Sequence, residues 1–198
     1  MAVSIDDIKK LKELTGVGLT DAKVALVEAD GDFDKALEAM RKKGLTRAEK
    51  KGDREAREGV IDSYVHSGRI GVVVEVNCET DFVARLDDFK KLAHEVAMQI
   101  AAMSPKYVSE AEIPAEEMDR VRAEFNEKVK LEGKPAEIAE KIVDGQVKKH
   151  FAERVLMSQV FILDEKKTVE AYIKENIAKL GENIIIRQFK RIELGVNE

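Results

Sequence analysis

The chain has 198 residues, of which 44% are hydrophobic and 37% are charged, and its formal net charge is -5. This length is sufficient for one well-packed domain and a second, smaller one. Because both signs of charge are abundant, the composition indicates a surface rich in ion pairs and argues against a nucleic-acid-binding surface spread over the whole protein. The single cysteine, Cys78, excludes a disulfide within the chain and favours a reduced, cytoplasmic setting.

The N-terminal residues lack the basic and apolar regions of a secretory signal. No apolar run approaches the roughly 20 residues that a membrane-spanning helix needs. We therefore expect a cytoplasmic protein that has no membrane partner.

Residues 1–45 carry the signals of three short helices. Ser4 is predicted to cap the first helix, and Gly16 is predicted to end it. Thr20 is predicted to cap the second helix and Asp32 the third, because short side chains with an oxygen are favoured at helix N-termini.

The third helix is predicted to end at Gly44, and helices this short need a shared core to be stable. The layout resembles a three-helix domain of the ubiquitin-associated (UBA-like) type, in which a loop between helices is the docking surface. Here that loop contains Val17, Gly18 and Leu19. Two interpretations of Leu19 stay open: it packs on Val24 as a hydrophobic staple, or it is a partly exposed contact.

Residues 46–57 are predicted to be a solvated basic linker between the helical bundle and the rest of the chain. An RNA-binding arm that uses the lysines and arginines of residues 41–57 is the alternative. No aromatic side chain is interleaved with these charges to stack on a base, as single-strand binding usually requires.

Residues 58–198 are predicted to form an α+β core and dimerisation domain. Two β-type runs, 59–65 and 70–78, are joined by the turn signal of residues 66–69, which predicts a hairpin. A third strand is predicted over 183–189, where it would pair with the hairpin. A small antiparallel sheet of about three strands leaves an exposed edge, which is a physical reason to expect a homodimer or another partner.

Helices are predicted to pack around this sheet. One begins near Asp87 and carries an apolar stripe that faces the hairpin. Pro114 and Pro135 each open a further helix, and these two helices are predicted to form an antiparallel helical hairpin inserted at about residues 114–150. Thr168 is predicted to cap the last helix.

The sequence lacks several motifs of common enzyme classes: a GxxxxGK[ST] phosphate loop, a GxGxxG turn that opens a helix, and a GxSxG elbow. His94 and Glu95 begin a run similar to HExxH, but Met98 stands at the position of the second histidine, so we expect neither a metal site nor a cofactor. An enzyme with a closed apolar pocket stays an alternative. The lack of these motifs favours a protein that acts by binding rather than by catalysis.

Residues 79–85 separate the second strand from the helix that begins near Asp87. Binding residues concentrate on loops that are carried by rigid elements. Phe82 in this stretch has two interpretations. It caps the core where the strand turns into the helix, or it is held out as a probe for a partner.

Four blocks of this sequence are similar to the bacterial elongation factor Ts family. They are LTGVGLTDAK at 14–23, EVNCETDFVA at 75–84, GKPAEIAEK at 133–141 and GENI at 181–184. The chain resembles the short class of the family, which has a single core subdomain. In that class two chains together supply what one long chain supplies.

This resemblance implies a function and a set of site residues. Members of the family are guanine-nucleotide exchange factors that release GDP from the GTPase elongation factor Tu, so that GTP can rebind. The segment implied to displace Mg²⁺ in that partner is Thr80, Asp81, Phe82 and Val83. The residues implied to dock on its GTPase domain are Val17, Gly18 and Leu19.

The resemblance also implies a homodimer, which some short members link through a cysteine in the C-terminal strand. Residues 184–194 of this chain contain no cysteine. We therefore expect a non-covalent dimer. Cys78 lies in an apolar strand and is interpreted as a small buried hydrophobic residue.

Overall fold

The computed structural model of the protein describes residues 3–131 and 136–196 and has the α+β architecture expected from the sequence. The helices are α1 (Ile5–Thr15), α2 (Leu19–Glu28), α3 (Phe33–Glu49), α4 (Asp81–Ala84), α5 (Asp87–Met103), α6 (Ala115–Leu131), α7 (Ala136–Ala152) and α8 (Val169–Leu180). The strands are β1 (Glu58–His66), β2 (Ile70–Cys78), β3 (Val160–Phe161), β4 (Asp164–Thr168) and β5 (Ile185–Glu193).

The predicted ends of the first and third helices are confirmed at three positions. The Ser4 hydroxyl accepts a hydrogen bond from the Asp6 amide at 3.1 Å, and the Asp32 carboxylate accepts one from the Lys35 amide at 3.1 Å. Gly16 ends α1 with a left-handed backbone, at φ +66°. The three helices enclose a small core of their own, centred on the buried side chains of Leu11, Ala22, Ala25, Leu26, Ala36 and Met40.

The predicted start of the second helix is wrong. Helix α2 begins at Leu19, and Gly18 is its N-cap, so Thr20 already lies inside the helix. Gly18 makes no side-chain cap hydrogen bond, but its extended backbone, with φ -66° and ψ 154°, is the conformation that an N-cap requires. The N-cap of α2 is therefore a glycine that lies two residues before the threonine predicted to be the cap.

The predicted end of the third helix at Gly44 is also wrong, because α3 continues to Glu49. Gly44 is buried, and a Cβ atom added to it would lie 3.1 Å from the Cβ of Ala178 on α8. The glycine therefore allows close packing of α3 on α8 instead of ending the helix. Helix α3 extends into the segment predicted as a linker, and Ala48 is part of the core around the sheet.

The predicted hairpin and its third strand are confirmed. The sheet is antiparallel with the order β1-β2-β5, so β2 is the central strand. Ser67 and Gly68 both have positive φ, as a tight hairpin turn between β1 and β2 requires. Alternate residues of β2 face the main core and are fully buried, namely Val72, Val74, Val76 and Cys78.

Helices α5 and α8 cover the core face of this sheet. The α5 side chains that are buried against it include Phe89, Leu92, Val96 and Ile100. Thr168 caps α8 as predicted, since its hydroxyl accepts a hydrogen bond from the Ala171 amide at 3.2 Å. On the opposite face of the sheet, the side chains of Ile61, Val65 and Val73 are exposed.

Helices α6 and α7 form the predicted helical hairpin, and Pro114 directly precedes α6. The pair has a separate small core of buried residues, which are Val121, Val129, Val143, Val147, Phe151 and Val155. Pro135, which was predicted to open the second of these helices, lies outside the described residues.

Strands β3 and β4 form a second, two-stranded sheet that the sequence did not predict. The buried Gln99 of α5 holds this region, because its amide nitrogen donates to Gln159 at 3.1 Å and its amide oxygen accepts from the Ile162 amide at 2.9 Å. Across the described parts of the chain, no helix is both long enough and apolar enough to cross a membrane.

Candidate protein-binding site

We call residues 79–85 the Phe82 loop. It starts directly after the central strand β2 and contains the one-turn helix α4. Thr80 is the N-cap of α4, and its hydroxyl accepts a hydrogen bond from the Val83 amide at 3.5 Å. The Arg85 guanidinium donates to the Asp81 carboxylate at 2.7 Å, which closes the turn on its exposed side. Asp81 is therefore engaged within the loop.

Phe82 is 77% exposed, whereas Val83 and Ala84, which follow it, are buried in the main core. The interpretation of Phe82 as a cap on the core is therefore wrong. Of the four residues predicted to act on a partner, Val83 anchors the turn and Phe82 projects from it. An exposed aromatic side chain between two anchored ends is suited to insertion into a pocket of another protein.

The Phe82 loop is held by the turn between α8 and β5, which contains Gly181, Glu182 and Asn183. The Glu182 carboxylate accepts hydrogen bonds from the backbone amides of Glu79 and Thr80. In return, the Glu79 carboxylate accepts a hydrogen bond from the Asn183 amide at 2.7 Å. The sequence marks GENI at 181–184 as a family block but assigns Glu182 no role, because the two segments lie about a hundred residues apart.

Cys78 lies behind the Phe82 loop and is fully buried, as its sequence context predicts. Its thiol donates a weak hydrogen bond to the Thr80 carbonyl, with an Sγ to O distance of 3.2 Å. Burial, and next the negative charge of Glu182, raise the pKa of the Cys78 thiol to about 11. The thiol is therefore neutral near pH 7 and has a packing role rather than a nucleophilic one.

The second predicted contact segment, residues 16–19, is called here the Leu19 loop. Val17 is buried in the core of the three-helix bundle, while Gly18 and Leu19 are exposed, Leu19 by 52%. Val24, the predicted packing partner of Leu19, is also about half exposed. The staple interpretation is therefore not supported, and Leu19 is available for contact with a partner.

The C-terminal end of α8 connects the two loops. A Cβ atom on Gly16 would lie 2.5 Å from the Cα of Lys179, so the Leu19 loop packs directly on the α8 backbone. The Lys179 ammonium pairs with Asp88 of α5 at 2.8 Å, just beyond the Phe82 loop. Glu182 follows three residues later and contacts the Phe82 loop itself. The two predicted contact segments are thus fixed to one structural element.

Several basic side chains of residues 41–57 have partners within the chain. Lys43 lies 3.8 Å from Asp21, and Arg54 lies 3.4 Å from Glu79. The Lys51 ammonium donates to the Gly181 carbonyl at the end of α8. Lys43 thus ties α3 to α2 within the bundle, whereas Lys51 and Arg54 tie the segment after α3 to the core.

A cavity of about 730 Å³ lies between β1 and α5. Its lining is mainly apolar and includes Asp62 and His94, whose side chains lie 3.0 Å apart. The lining contains no serine, threonine or cysteine that such a pair could activate, and it shares no residue with either loop. Within the described ranges, no three or more His, Cys, Asp or Glu side chains are grouped so that they could hold a metal ion.

Comparison with known proteins identifies related chains over nearly the whole length. The family model "Elongation factor TS" matches residues 41–196. The elongation factor Ts of Fervidobacterium nodosum is 48% identical over 196 residues, which are 98% of this chain and all of that relative. The Syntrophomonas wolfei protein of the same name is 51% identical over 194 residues, covering 98% of this chain and 91% of the relative. A Thermotoga elongation factor Ts is 50% identical over 196 residues, 98% of each chain.

These matches, together with the α+β fold and the exposed Phe82 loop, place the protein among the translation elongation factors. More specifically, the chain belongs to the elongation factor Ts family.

Proposed function

We propose that the protein is a guanine-nucleotide exchange factor that accelerates GDP release from elongation factor Tu. The observation that carries the proposal is the presentation of Phe82, which is exposed by 77% on a turn whose next two residues are buried. Family membership supports the same activity, because the family match covers the core that carries this turn. The expected setting is the cytoplasm.

Phe82 is proposed to act on the magnesium ion of the GTPase. Mg²⁺ bridges the phosphate oxygens of a bound nucleotide and requires nearly ideal octahedral geometry. An aromatic side chain inserted beside the ion disturbs that geometry without ligating the metal. The nucleotide then loses part of its binding energy and dissociates faster, and no covalent step takes place on the exchange factor.

The binding cycle follows from linkage between the two ligands of the GTPase. A factor that weakens nucleotide binding must itself bind the nucleotide complex more weakly than the empty GTPase. The protein therefore stabilises the nucleotide-free state, and incoming GTP displaces it. Val17, Gly18 and Leu19 are proposed to supply the second contact, through the exposed backbone of Gly18 and the Leu19 side chain.

The test is the release of fluorescent GDP from a species-matched elongation factor Tu, with and without this protein. We expect strong acceleration that saturates with the concentration of the factor. The control is the Leu131→Ala variant, which removes another highly exposed hydrophobic side chain at the end of α6. It should accelerate release as well as the unmodified protein does. Release that is not accelerated by the folded protein would rule out the exchange function.

We further propose a non-covalent homodimer formed through the solvent face of the sheet. Residues of β1, β2 and β5 that point away from the core form a surface of mixed polarity, which we call the outer sheet face. Its exposed hydrophobic side chains are Ile61, Val65, Val73 and Ile192. Exposed hydrophobic side chains gathered on one face are typical of a protein interface, and both outer strands offer unpaired backbone groups.

Sedimentation equilibrium tests this dimer. Ile61→Lys and Ile192→Lys should each shift the protein towards the monomer, since burying a charged side chain in an interface carries a desolvation cost. The matched control is Ile5→Lys on α1, where the isoleucine is 70% exposed and therefore comparable with Ile61 at 73%. A monomeric protein, or a dimer that all three variants retain, would contradict an interface on the outer sheet face.

Nucleic acid is not proposed as a partner. The contacts of Lys43, Lys51 and Arg54 within the chain account for three cations of the segment that suggested an RNA-binding arm. A filter-binding titration checks this point. RNA affinity that falls steeply with salt, and that is lost when the lysines of this segment become glutamine, would favour the RNA-binding alternative.

A further inference from the structure

The Glu182 carboxylate lies against the start of the Phe82 loop and accepts three hydrogen bonds from it. Its Oε2 atom accepts from the Glu79 amide at 3.1 Å and from the Thr80 amide at 3.0 Å. Its Oε1 atom accepts from the Thr80 hydroxyl at 2.6 Å. Hydrogen bonds to an ionised carboxylate are roughly twice as strong as those between neutral groups.

These three bonds determine how α4 begins. The Thr80 hydroxyl has one hydrogen, and donation of that hydrogen to Glu182 leaves an oxygen lone pair free to accept from the Val83 amide. The same carboxylate therefore supports the N-cap that opens the helix. A helix of four residues is far too short to be stable through its own hydrogen bonds.

Phe82 has little packing of its own, since most of its surface is exposed. Its direction is set by the backbone of residues 80–83. Val83 and Ala84 anchor this backbone on the core side, and Glu182 anchors it at its start. Without Glu182, two amides and one hydroxyl at the start of the loop would lose the partner that fixes them.

The turn that carries Glu182 is itself held in place. Gly181 ends α8 with a left-handed backbone at φ +82°, and the buried Asn183 donates from its side chain to the Arg54 carbonyl at 2.7 Å. The Arg54 guanidinium in turn lies 3.4 Å from the Glu79 carboxylate. Glu182 is thus presented to the loop from a rigid support.

We infer that Glu182 is a positioning residue for the exchange reaction. It holds Thr80, and through Thr80 it keeps Phe82 in the orientation that enters the partner. This inference rests on the proposed exchange function. Its physical basis is preorganisation, because a side chain already held in its bound direction loses less conformational freedom when it binds.

The first test measures the loop without any partner. The chain has no tryptophan, so Phe82→Trp introduces a single fluorescent reporter at the tip of the loop. In this background, Glu182→Ala should lower the fluorescence anisotropy of the reporter, and Glu182→Gln, which keeps a neutral acceptor, should lower it less. Glu165→Ala, at an exposed glutamate of β4, is the control that should leave it unchanged. Anisotropy that does not respond to Glu182→Ala would overturn the inference.

The second test separates positioning from a general loss of stability. Glu182→Ala should slow GDP release about 10-fold at a limiting concentration of the factor, which is the effect of misplacing a group that makes a central contact. In the Phe82→Ala background the same substitution should have no further effect, because Glu182 acts through Phe82. Thermal unfolding of each variant confirms that the measured proteins are folded.

An equal loss of exchange from Glu182→Ala in both backgrounds would overturn the positioning role. If the unmodified protein does not accelerate GDP release, the proposed function fails. The anisotropy of the reporter then still decides whether Glu182 orders the loop. Glu182→Gln provides the folded variant if Glu182→Ala unfolds the protein, and it should give an intermediate exchange rate.

Discussion

The Phe82 loop and the Leu19 loop use the same arrangement of side chains but different supports. Each places an exposed hydrophobic side chain close to a buried valine, Phe82 with Val83 and Leu19 with Val17. The Phe82 loop is held by the Glu182 carboxylate and the Asn183 backbone amide, which belong to a distant part of the chain. The Leu19 loop is held mainly by close backbone packing at Gly16.

This difference indicates what each loop must do. Directional hydrogen bonds fix the orientation of a short turn, which matters if one aromatic ring must enter a narrow site. Close packing of a glycine fixes the position of a whole helical bundle on the core but orients no particular side chain. We therefore expect the Phe82 loop to determine the rate of exchange and the Leu19 loop to contribute mainly to affinity.

The largest effect is expected at Phe82. Phe82→Ala should reduce the acceleration of GDP release about 30-fold or more, which corresponds to a central contact worth about 2 kcal/mol. The free energy of unfolding should change by less than about 0.5 kcal/mol, because the side chain is exposed. Stopped-flow exchange and urea unfolding measure the two quantities. Val83→Ala provides the contrast, since removing buried methyl groups should destabilise the fold by about 1–3 kcal/mol.

The second effect concerns the packing of the Leu19 loop on α8. Gly16→Ala should destabilise the protein by about 1–3 kcal/mol, because φ is positive and the added Cβ would overlap the Lys179 backbone. Gly18→Ala is the matched control, since a Cβ atom added there would have no neighbour within 4 Å and the φ of Gly18 is negative. It should cost at most about 1 kcal/mol, as the loss of a glycine N-cap does. Equal effects in urea unfolding would refute the packing role of Gly16.

A smaller effect is expected from Leu19→Ala. Affinity for the nucleotide-free GTPase should fall about 5-fold to 10-fold, as expected for an exposed apolar contact of about 1 kcal/mol. The maximal exchange rate at saturating factor should stay nearly constant. Titration of the exchange rate gives both values. A fall in the maximal rate with unchanged affinity would show that the Leu19 loop affects the rate of exchange and not the affinity.

The last prediction is a pH dependence of stability, which arises behind the Phe82 loop. Burial raises the Cys78 pKa from 9.0 to about 11, so the native state keeps the thiol proton at a pH where the unfolded chain loses it. Stability should therefore fall as the pH rises from about 9 to about 11. Between pH 8 and pH 10.5, the urea midpoint of unfolding should fall less for Cys78→Ala than for the unmodified protein. The same fall in both proteins would mean that Cys78 does not contribute.

Local signals in the sequence predicted much of the fold because their physical causes are local. The hydroxyls of Ser4 and Thr168 and the carboxylate of Asp32 cap helices within three residues of their own positions. The burial of every second side chain of β2 from Val72 to Cys78 follows from the geometry of a single strand. These features need no knowledge of the rest of the chain.

The incorrect predictions involve residues whose role depends on a distant neighbour. Glycine is common at the ends of helices. The approach of Ala178 nevertheless makes Gly44 a packing residue inside α3. Strand β3 has only two residues, and β4 has the sequence DEKKT, which lacks apolar alternation. The region is held by Gln99, which bonds to Val160 of β3 and to Ile162 just after it. In both cases a tertiary contact outweighs the local preference.

The sequence by itself determined the helix caps at Ser4, Asp32 and Thr168, the core face of the central strand and, through its family blocks, the segments that were expected to meet a partner. Only the tertiary structure decided which side chains of those segments are exposed, since Phe82 and Leu19 project while Val83 and Val17 are buried. It also decided that Glu182 supports the Phe82 loop. The physical reason is that burial and long-range hydrogen bonds depend on which distant segments pack together.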